Sequence, residues 1–201
     1  MRPRKFTDPN YVRAFREIVV RIGRAALAAP LRMYVAGGAA VHFYTGNRIS
    51  EDVDAAFSRR ILPGGDLEVS YTDSAGTPRL LYFDTQYNES FALVHEDAHV
   101  DSLPLDLPGL AREPVEVRLF SPLDLAVSKL ARFAEHDRDD IRSLARAGLI
   151  EQSALRRRAE EALAGYVGES RRIRTSIALA CEIVKKARSA KERGKRAARD
   201  F

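Results

Sequence analysis

Gly37-Gly38-Ala39-Ala40-Val41-His42-Phe43-Tyr44-Thr45-Gly46-Asn47-Arg48-Ile49-Ser50-Glu51-Asp52-Val53-Asp54-Ala55-Ala56-Phe57 is the stretch of this chain whose reading decides the fold. The two glycines follow a short apolar run, Met33-Tyr34-Val35-Ala36, and open a helical piece from Ala39 to Tyr44. A strand that ends in two glycines and leads into a helix lets backbone N–H groups approach a phosphate closely. Thr45-Gly46-Asn47 is turn chemistry, and Val53 to Phe57 reads as a strand. Asp52 and Asp54 are two apart there, so both carboxylates point to one face. Two like charges so close repel unless a cation sits between them, and oxygen-only ligands favour Mg²⁺. Arg48 and Ser50 stand just before the pair, where a guanidinium and a hydroxyl would hold phosphate oxygens. Taken singly, Gly37-Gly38 reads as a tight turn and Asp-x-Asp as a solvent-facing strand edge. In this order, 14–17 residues apart, they point to a metal–nucleotide site.

Outward from this stretch the periodicity changes twice. Asp8-Pro9 starts a helix over about 10–28, with Tyr11, Phe15, Ile18, Val19, Ile22 and Ala26 at helical spacing, and Pro30 ends it. Leu67 to Tyr71 and Arg79 to Phe83 read as strands, joined by the turn Thr72-Asp73-Ser74-Ala75-Gly76 into a hairpin. The stretch 86–113 is ambiguous and broken by Pro104 and Pro108, whereas Val115 to Phe120 alternates as a strand should. From Ser121 onward everything is helical. Ser121-Pro122 supplies an N-cap and a first-turn proline. Helices follow at about 122–135, 138–147, 151–166 and 169–192, punctuated by Gly148, Gly165 and Gly168. The expectation is an α+β domain over 1–120 and an all-helical C-terminal domain over 121–201.

The chain has 201 residues, 45% hydrophobic and 30% charged, enough for one core or a domain with a helical appendage. No apolar run reaches the ~18 residues of a membrane span, which rules out a transmembrane protein, and no membrane is expected among the partners. Met1-Arg2-Pro3-Arg4-Lys5 leads into a charged amphipathic stretch, with no apolar signal region. The single cysteine, Cys181, forms no internal disulfide, and the reading is a cytoplasmic protein. The net charge of +5 is unevenly placed: residues 151–201 carry 14 Lys and Arg against 7 Asp and Glu, and residues 1–150 carry 19 against 21. Arg171, Arg172, Arg174, Lys185, Lys186, Arg188, Lys191, Arg193, Lys195, Arg196 and Arg199 make up most of the excess, beside an apolar stripe of Ile173, Ile177, Cys181 and Val184. A basic segment suits a phosphate polymer or an acidic protein, and the plain reading is a solvated helix. Aromatic residues are not interleaved with it, so this tail does not stack on bases.

The central stretch resembles the nucleotidyltransferase superfamily with the DNA polymerase beta-type fold. Its signature is a Gly-Gly or Gly-Ser turn, a short helix, then Asp-x-Asp/Glu on the next strand. The closer resemblance is to the AbiEii/MenT-like toxins, which share Gly-Gly and then Arg-hydrophobic-Ser-x-Asp-hydrophobic-Asp. Their later motif, Lys-Leu followed by Asp-x-x-Asp-hydrophobic, is similar to Lys129-Leu130 and Asp137-Arg138-Asp139-Asp140-Ile141 here. The resemblance runs over about 33–149. It implies a minimal nucleotidyltransferase mixed sheet with flanking helices. It implies Mg²⁺-dependent transfer (Mn²⁺ being an alternative) of a nucleoside monophosphate from an NTP to a hydroxyl, the acceptor being the 3′ end of tRNA. The physiological role it implies is the toxin of a toxin–antitoxin pair, with an antitoxin protein as partner. By matching position, Asp52 and Asp54 would bind the metal, and Gly37, Gly38, Arg48 and Ser50 the nucleotide. Lys129 would stabilise phosphate charge, and Asp140 would orient or deprotonate the attacking hydroxyl or position Lys129. Asp84, at the end of Leu80-Leu81-Tyr82-Phe83, is the strand candidate for a third carboxylate. Ala39 stands where the family often has serine, so backbone groups would supply more of the phosphate contact. The alternatives are a catalytically inactive module of the same fold that binds RNA or protein, and an enzyme that modifies a protein or small molecule.

His95-Glu96-Asp97-Ala98-His99 matches the His-Glu-x-x-His pattern of zinc proteases. No third ligand follows on a supporting helix, and Pro104 and Pro108 soon break the chain, so a loop or helix end is the better reading. His42 and His136 have no partner pattern and read as core-edge or surface residues. Cys181 lies in an apolar helical run and reads as packing. No nucleophile triad, Walker motif or Rossmann fingerprint is present.

Overall fold

The computed structural model describes residues 2, 7–25, 30–61, 64–110 and 114–197. Ala26, Arg199 and the side chains from Lys191 onward lie outside the described residues. The chain divides into two compact units, Met1–Asn88 with His99–Ser121, and Glu89–Ala98 with Pro122–Phe201. The class is α+β, as the change of periodicity predicts. No helix among the described residues is long and apolar enough to cross a membrane.

In the first unit, α1 (Pro9–Ala25) presents Tyr11, Phe15, Ile18, Val19 and Ile22, all fully buried, to the hairpin of β4 (Glu68–Thr72) and β5 (Pro78–Phe83). The Asp8 carboxylate starts the helix. Its Oδ1 accepts the N–H groups of Asn10 (2.7 Å) and Tyr11 (3.1 Å), and its Oδ2 accepts the N–H of Ser74 in the hairpin turn (2.7 Å) and the Ser74 hydroxyl. Burial works to raise the Asp8 pKa, and these four donors outweigh it and hold it below the usual carboxylate value.

β1 (Leu31–Val35) runs parallel to β7 (Val115–Leu119) and antiparallel to β3 (Ala55–Phe57). β6 (Leu103–Pro104) closes the other edge of that sheet against β7. Pro104 is compatible with a strand there because β6 is an edge. β2 (Asp52–Val53) runs parallel to β5, which pairs antiparallel with β4. The segment predicted as one strand from Val53 to Phe57 is therefore two, broken at Asp54. Its first part pairs with β5 and its second with β1.

The helix predicted from Ala39 begins two residues earlier, as α2 (Gly37–Thr45). Every residue from Gly38 to Tyr44 is buried, as expected of a short helix that is apolar all round. His42 belongs to this core, which corrects the core-edge or surface reading, for it is 1% exposed. Its Nδ1 lies 2.8 Å from the Asn47 carbonyl and its Nε2 accepts the Asp8 N–H at 3.3 Å. A carbonyl accepts only, so the ring is the neutral Nδ1–H tautomer. Burial lowers its pKa from the ordinary value. Protonation would turn an N–H onto the Asp8 N–H. The neutral form thus contributes stability that is complete above the unfolded value of about 6.5 and is lost as pH falls through the lower folded value. Melting temperature is expected to fall between pH 7 and 5 in the parent, and His42→Leu should lack that part of the slope. Equal slopes would refute this role for His42.

The second unit holds α3 (Pro122–Ser128), α4 (Glu135–Ala147), α5 (Gln152–Ala164) and α6 (Ser170–Ala197). α3 packs on α5, and α6 packs on α4 and α5 through Ile173, Ile177, Cys181 and Val184. Burial raises the Cys181 thiol pKa, in keeping with a packing role. The predicted helix 122–135 stops at Ser128. Residues 129–132 form a turn, Phe133 takes a left-handed conformation (φ 52°), and α4 starts at Glu135 instead of 138. The turn is held by Asp137, as described below. The segment 95–99 forms no helix: residues 96–100 are turns. His95, in the second unit, accepts the Asp97 N–H on Nδ1 at 3.1 Å, and His99, in the first, stacks on Tyr34 at 4.4 Å.

Candidate active site

The glycine turn and the carboxylate strand meet because the 52–57 segment has a neighbour on each side. On one side, the Ala36 N–H donates to the Asp54 carbonyl at 2.9 Å, at the entrance to α2. On the other, the Asp84 N–H donates to the Val53 carbonyl at 3.1 Å. Gly37 has φ 59°, a left-handed conformation that glycine adopts without strain, and a Cβ there would overlap the Asp54 carboxylate. A Cβ at Gly38 would overlap the Ser50 hydroxyl and come within 2.6 Å of the Arg48 guanidinium. The glycines are thus required by close approach as well as by the turn. The structure brings Gly37, Gly38, Arg48, Ser50 and Asp54 into one cluster.

Asp52 joins that cluster through Ser50, whose Oγ donates to its Oδ1 at 2.5 Å. Ser50 is 2% exposed, while Asp52 and Asp54 are half-buried and Arg48 is exposed. Arg48 carries a positive φ of 28°, an uncommon backbone for a residue with a side chain. That turn follows Asn47, whose carbonyl is held by His42, and it lays the guanidinium over Gly38. The N-terminus of α2 has no side-chain cap, since Ala36 precedes it. Its first N–H groups lie beside Arg48 and Ser50, an arrangement of donors suited to an anion.

Asp84 follows the end of β5. The parallel register sets Asp52 beside Tyr82 and Val53 beside Phe83, so Asp84 falls next to Asp54 in step. Period-two alternation puts Asp52 and Tyr82 on one face of that sheet, and Asp54 and Asp84 follow directly on the ends of its two strands. The side chains at the opposite face, Val53, Leu81 and Phe83, are buried. Asp84 Oδ1 accepts the Gln86 N–H at 2.8 Å. Tyr82 is 37% exposed. Its phenol pKa is raised, first by partial burial and then by Asp52 and Asp84, so it stays a protonated donor at neutral pH. Among the described residues, no three His, Cys, Asp or Glu side chains are gathered as a metal cluster. The donors at this face are nonetheless all oxygen, which is the chemistry Mg²⁺ takes. That ion is commonly held by one or two carboxylates together with substrate phosphates.

Lys129 and Asp140 belong to the second unit. Lys129 sits in the turn after α3, 6% exposed, with Nζ 2.7 Å from Asp140 Oδ2 and 3.5 Å from Asp137 Oδ1. Asp137, fully buried, accepts Arg132 on both oxygens (2.9 and 2.8 Å) and the Ala134 N–H at 2.9 Å. Burial pushes the Asp137 carboxyl up, and Arg132, Lys129 and the Ala134 N–H together bring it below the usual value. Lys129 is thus buried and ion-paired in the turn between α3 and α4.

Tyr82 and His42 were not singled out from the sequence as site residues. Leu80-Leu81-Tyr82-Phe83 is apolar throughout, so no alternation marks Tyr82. No local signal marks His42, whose partners lie on two other segments.

Searches of curated proteins and of solved structures return no significant match to this chain. One family model does match, over residues 24–188, which is most of the chain and includes every site residue named above. The chain belongs to the family described as "Nucleotidyltransferase of unknown function (DUF6036)".

Proposed function

We propose that the protein transfers a nucleoside monophosphate from an NTP to a hydroxyl at the 3′ end of tRNA, as an AbiEii/MenT-like toxin in the cytoplasm, held in check by an antitoxin protein. The observation that carries the chemistry is the packing of Gly37 on Asp54 and of Gly38 on Ser50 and Arg48, which joins an anion corner to a carboxylate pair. Backbone N–H groups at Gly37 and Gly38, the Ser50 hydroxyl and the Arg48 guanidinium would hold the triphosphate. Asp52 and Asp54, with Asp84 as the candidate third carboxylate, would hold Mg²⁺, which supplies charge neutralisation at the transferring phosphoryl group. The acceptor oxygen attacks the α-phosphorus and the bond to the β-phosphate oxygen breaks. Pyrophosphate leaves, and the hydroxyl proton passes to a carboxylate. Lys129 and Asp140 are assigned to phosphate stabilisation and hydroxyl activation by the resemblance. The exposed Arg171, Arg174, Lys185 and Lys186 of α6 favour an acceptor rich in phosphate.

Incubation with labelled NTPs, Mg²⁺ and total tRNA tests this. Label on RNA in the parent and none with Asp52→Ala is the expected result. Label on a protein or small molecule instead would replace the acceptor. No label anywhere would leave the inactive binding module, a reading to which Ala39, with no side-chain oxygen at the corner, already lends weight.

A further inference from the structure

We propose that Tyr82 is the specificity-determining platform of the acceptor subsite, on which the terminal nucleobase of a single-stranded RNA stacks. This rests on the nucleotidyl-transfer reading above. In-line displacement at phosphorus sets the attacking and leaving oxygens on opposite sides of the α-phosphate. The residues suited to the leaving pyrophosphate, Gly37, Gly38, Arg48 and Ser50, lie on the α2 side of the Asp52–Asp54 segment. The acceptor must then arrive from the other side, where β5 lies. What β5 offers there is Tyr82 on the open face, more than a third exposed, with Leu80 (39% exposed) one step further along the same face. Beside them is an open pocket of about 450 Å³ lined by Asp66, Glu68, Tyr82, Asp84 and Gln86 among others.

Leu67 and Phe83 also line this pocket but are buried, so Tyr82 is its exposed aromatic side chain, suited to a flat apolar surface. A nucleobase presents one, and stacking on tyrosine tolerates any base. Tyr82 and Asp84 are two residues apart, about 6.8 Å along a strand. That step matches the span of a nucleoside, so a base on Tyr82 sets its 3′ hydroxyl near Asp84 and Asp54. Asp66, Glu68 and Asp84 oppose a phosphodiester chain inside the pocket. Only the terminal nucleoside therefore enters, and the backbone turns away. This selects a single-stranded 3′ end over a duplex.

The test uses the full chain and a short 5′-fluorescent single-stranded RNA with a free 3′ hydroxyl. Anisotropy is read with Mg²⁺ and an NTP analogue that cannot be cleaved at the α-phosphate, and NTP affinity is measured separately by calorimetry. Tyr82→Ala is expected to weaken RNA binding about tenfold and Tyr82→Phe to leave it unchanged, with NTP affinity the same in all three. An RNA that is abasic at its 3′ residue should bind the parent no better than it binds Tyr82→Ala. Three results would overturn the proposal: RNA binding insensitive to Tyr82, no discrimination against the abasic end, or a loss of NTP affinity in its place. RNA binding absent from the parent would overturn it too. Tyr82-dependent RNA binding without label transfer would refute the catalytic reading and leave the subsite standing. Label transferred to a protein, with no RNA bound, would refute the subsite and leave transfer standing.

Discussion

Asp54→Asn is expected to reduce nucleotidyl transfer by on the order of 10³-fold while leaving the fold intact. The Asp54 carboxylate lies against the Cα of Gly37, in a space a larger group would not enter, and asparagine keeps its outline. The backbone carbonyl of Asp54, which accepts the Ala36 N–H, is untouched by the substitution. What is lost is the negative charge that would hold a divalent cation next to the triphosphate corner. Ser50→Ala should cost less. It removes the single hydroxyl proton that Asp52 Oδ1 accepts, and for which a phosphate oxygen would compete, but leaves Arg48 and the α2 N-terminus in place. The two losses should not add, because the residues act on one charge distribution. Initial transfer rates and melting curves measured together decide the matter. An Asp54→Asn variant with the parent rate would remove the carboxylate pair from the chemistry.

Asp137→Ala is expected to destabilise the protein by about 3–5 kcal/mol, the range for removing one partner from a buried ion pair. Three groups depend on this fully buried carboxylate. Arg132 donates to both oxygens, the Ala134 N–H at the start of α4 donates to one, and the buried Lys129 approaches at 3.5 Å. Without it Lys129 keeps only Asp140, and α4 loses the acceptor at its N-terminus. Asp137→Asn keeps the shape and one acceptor oxygen, so its cost should be smaller. The pH dependence has a definite sign. The folded pKa of Asp137 lies below the unfolded one, so its contribution is present above about pH 4 and is lost as pH falls through the folded value. Urea unfolding at pH 7 and below about pH 4 checks both statements. Asp137→Asn should be less sensitive to acid than the parent, and an Asp137→Ala variant as stable as the parent would refute the role.

Much of this architecture is legible in local sequence. Helical spacing in α1 identifies the five residues that are fully buried, because a face is defined by period alone. Gly37-Gly38 is readable as a turn into a helix, whereas the single strand on which Asp52 and Asp54 were expected to share a face is broken at Asp54. Local spacing is less informative where one segment answers to another. The helix expected over 122–135 breaks after Ser128 because Lys129 and Arg132 turn to reach Asp137. The strand expected over Val53–Phe57 breaks because it serves two sheets. His42 reads as an ordinary helix residue, yet it binds Asp8 and Asn47 from opposite directions.

By itself, then, the sequence determined the α+β order of elements, the positions of the glycine turn and the paired carboxylates, and the concentration of positive charge in residues 151–201. These depend on spacing along one chain. Only the tertiary structure decided that Gly38 lies against Ser50 and Arg48, that the Asp84 N–H meets the Val53 carbonyl, and that Tyr82 stands exposed beside Asp52. Those depend on strand register and close approach between distant segments. A shift of one residue in the β2–β5 pairing would turn Tyr82 and Asp84 to the other face, and no local pattern encodes that register.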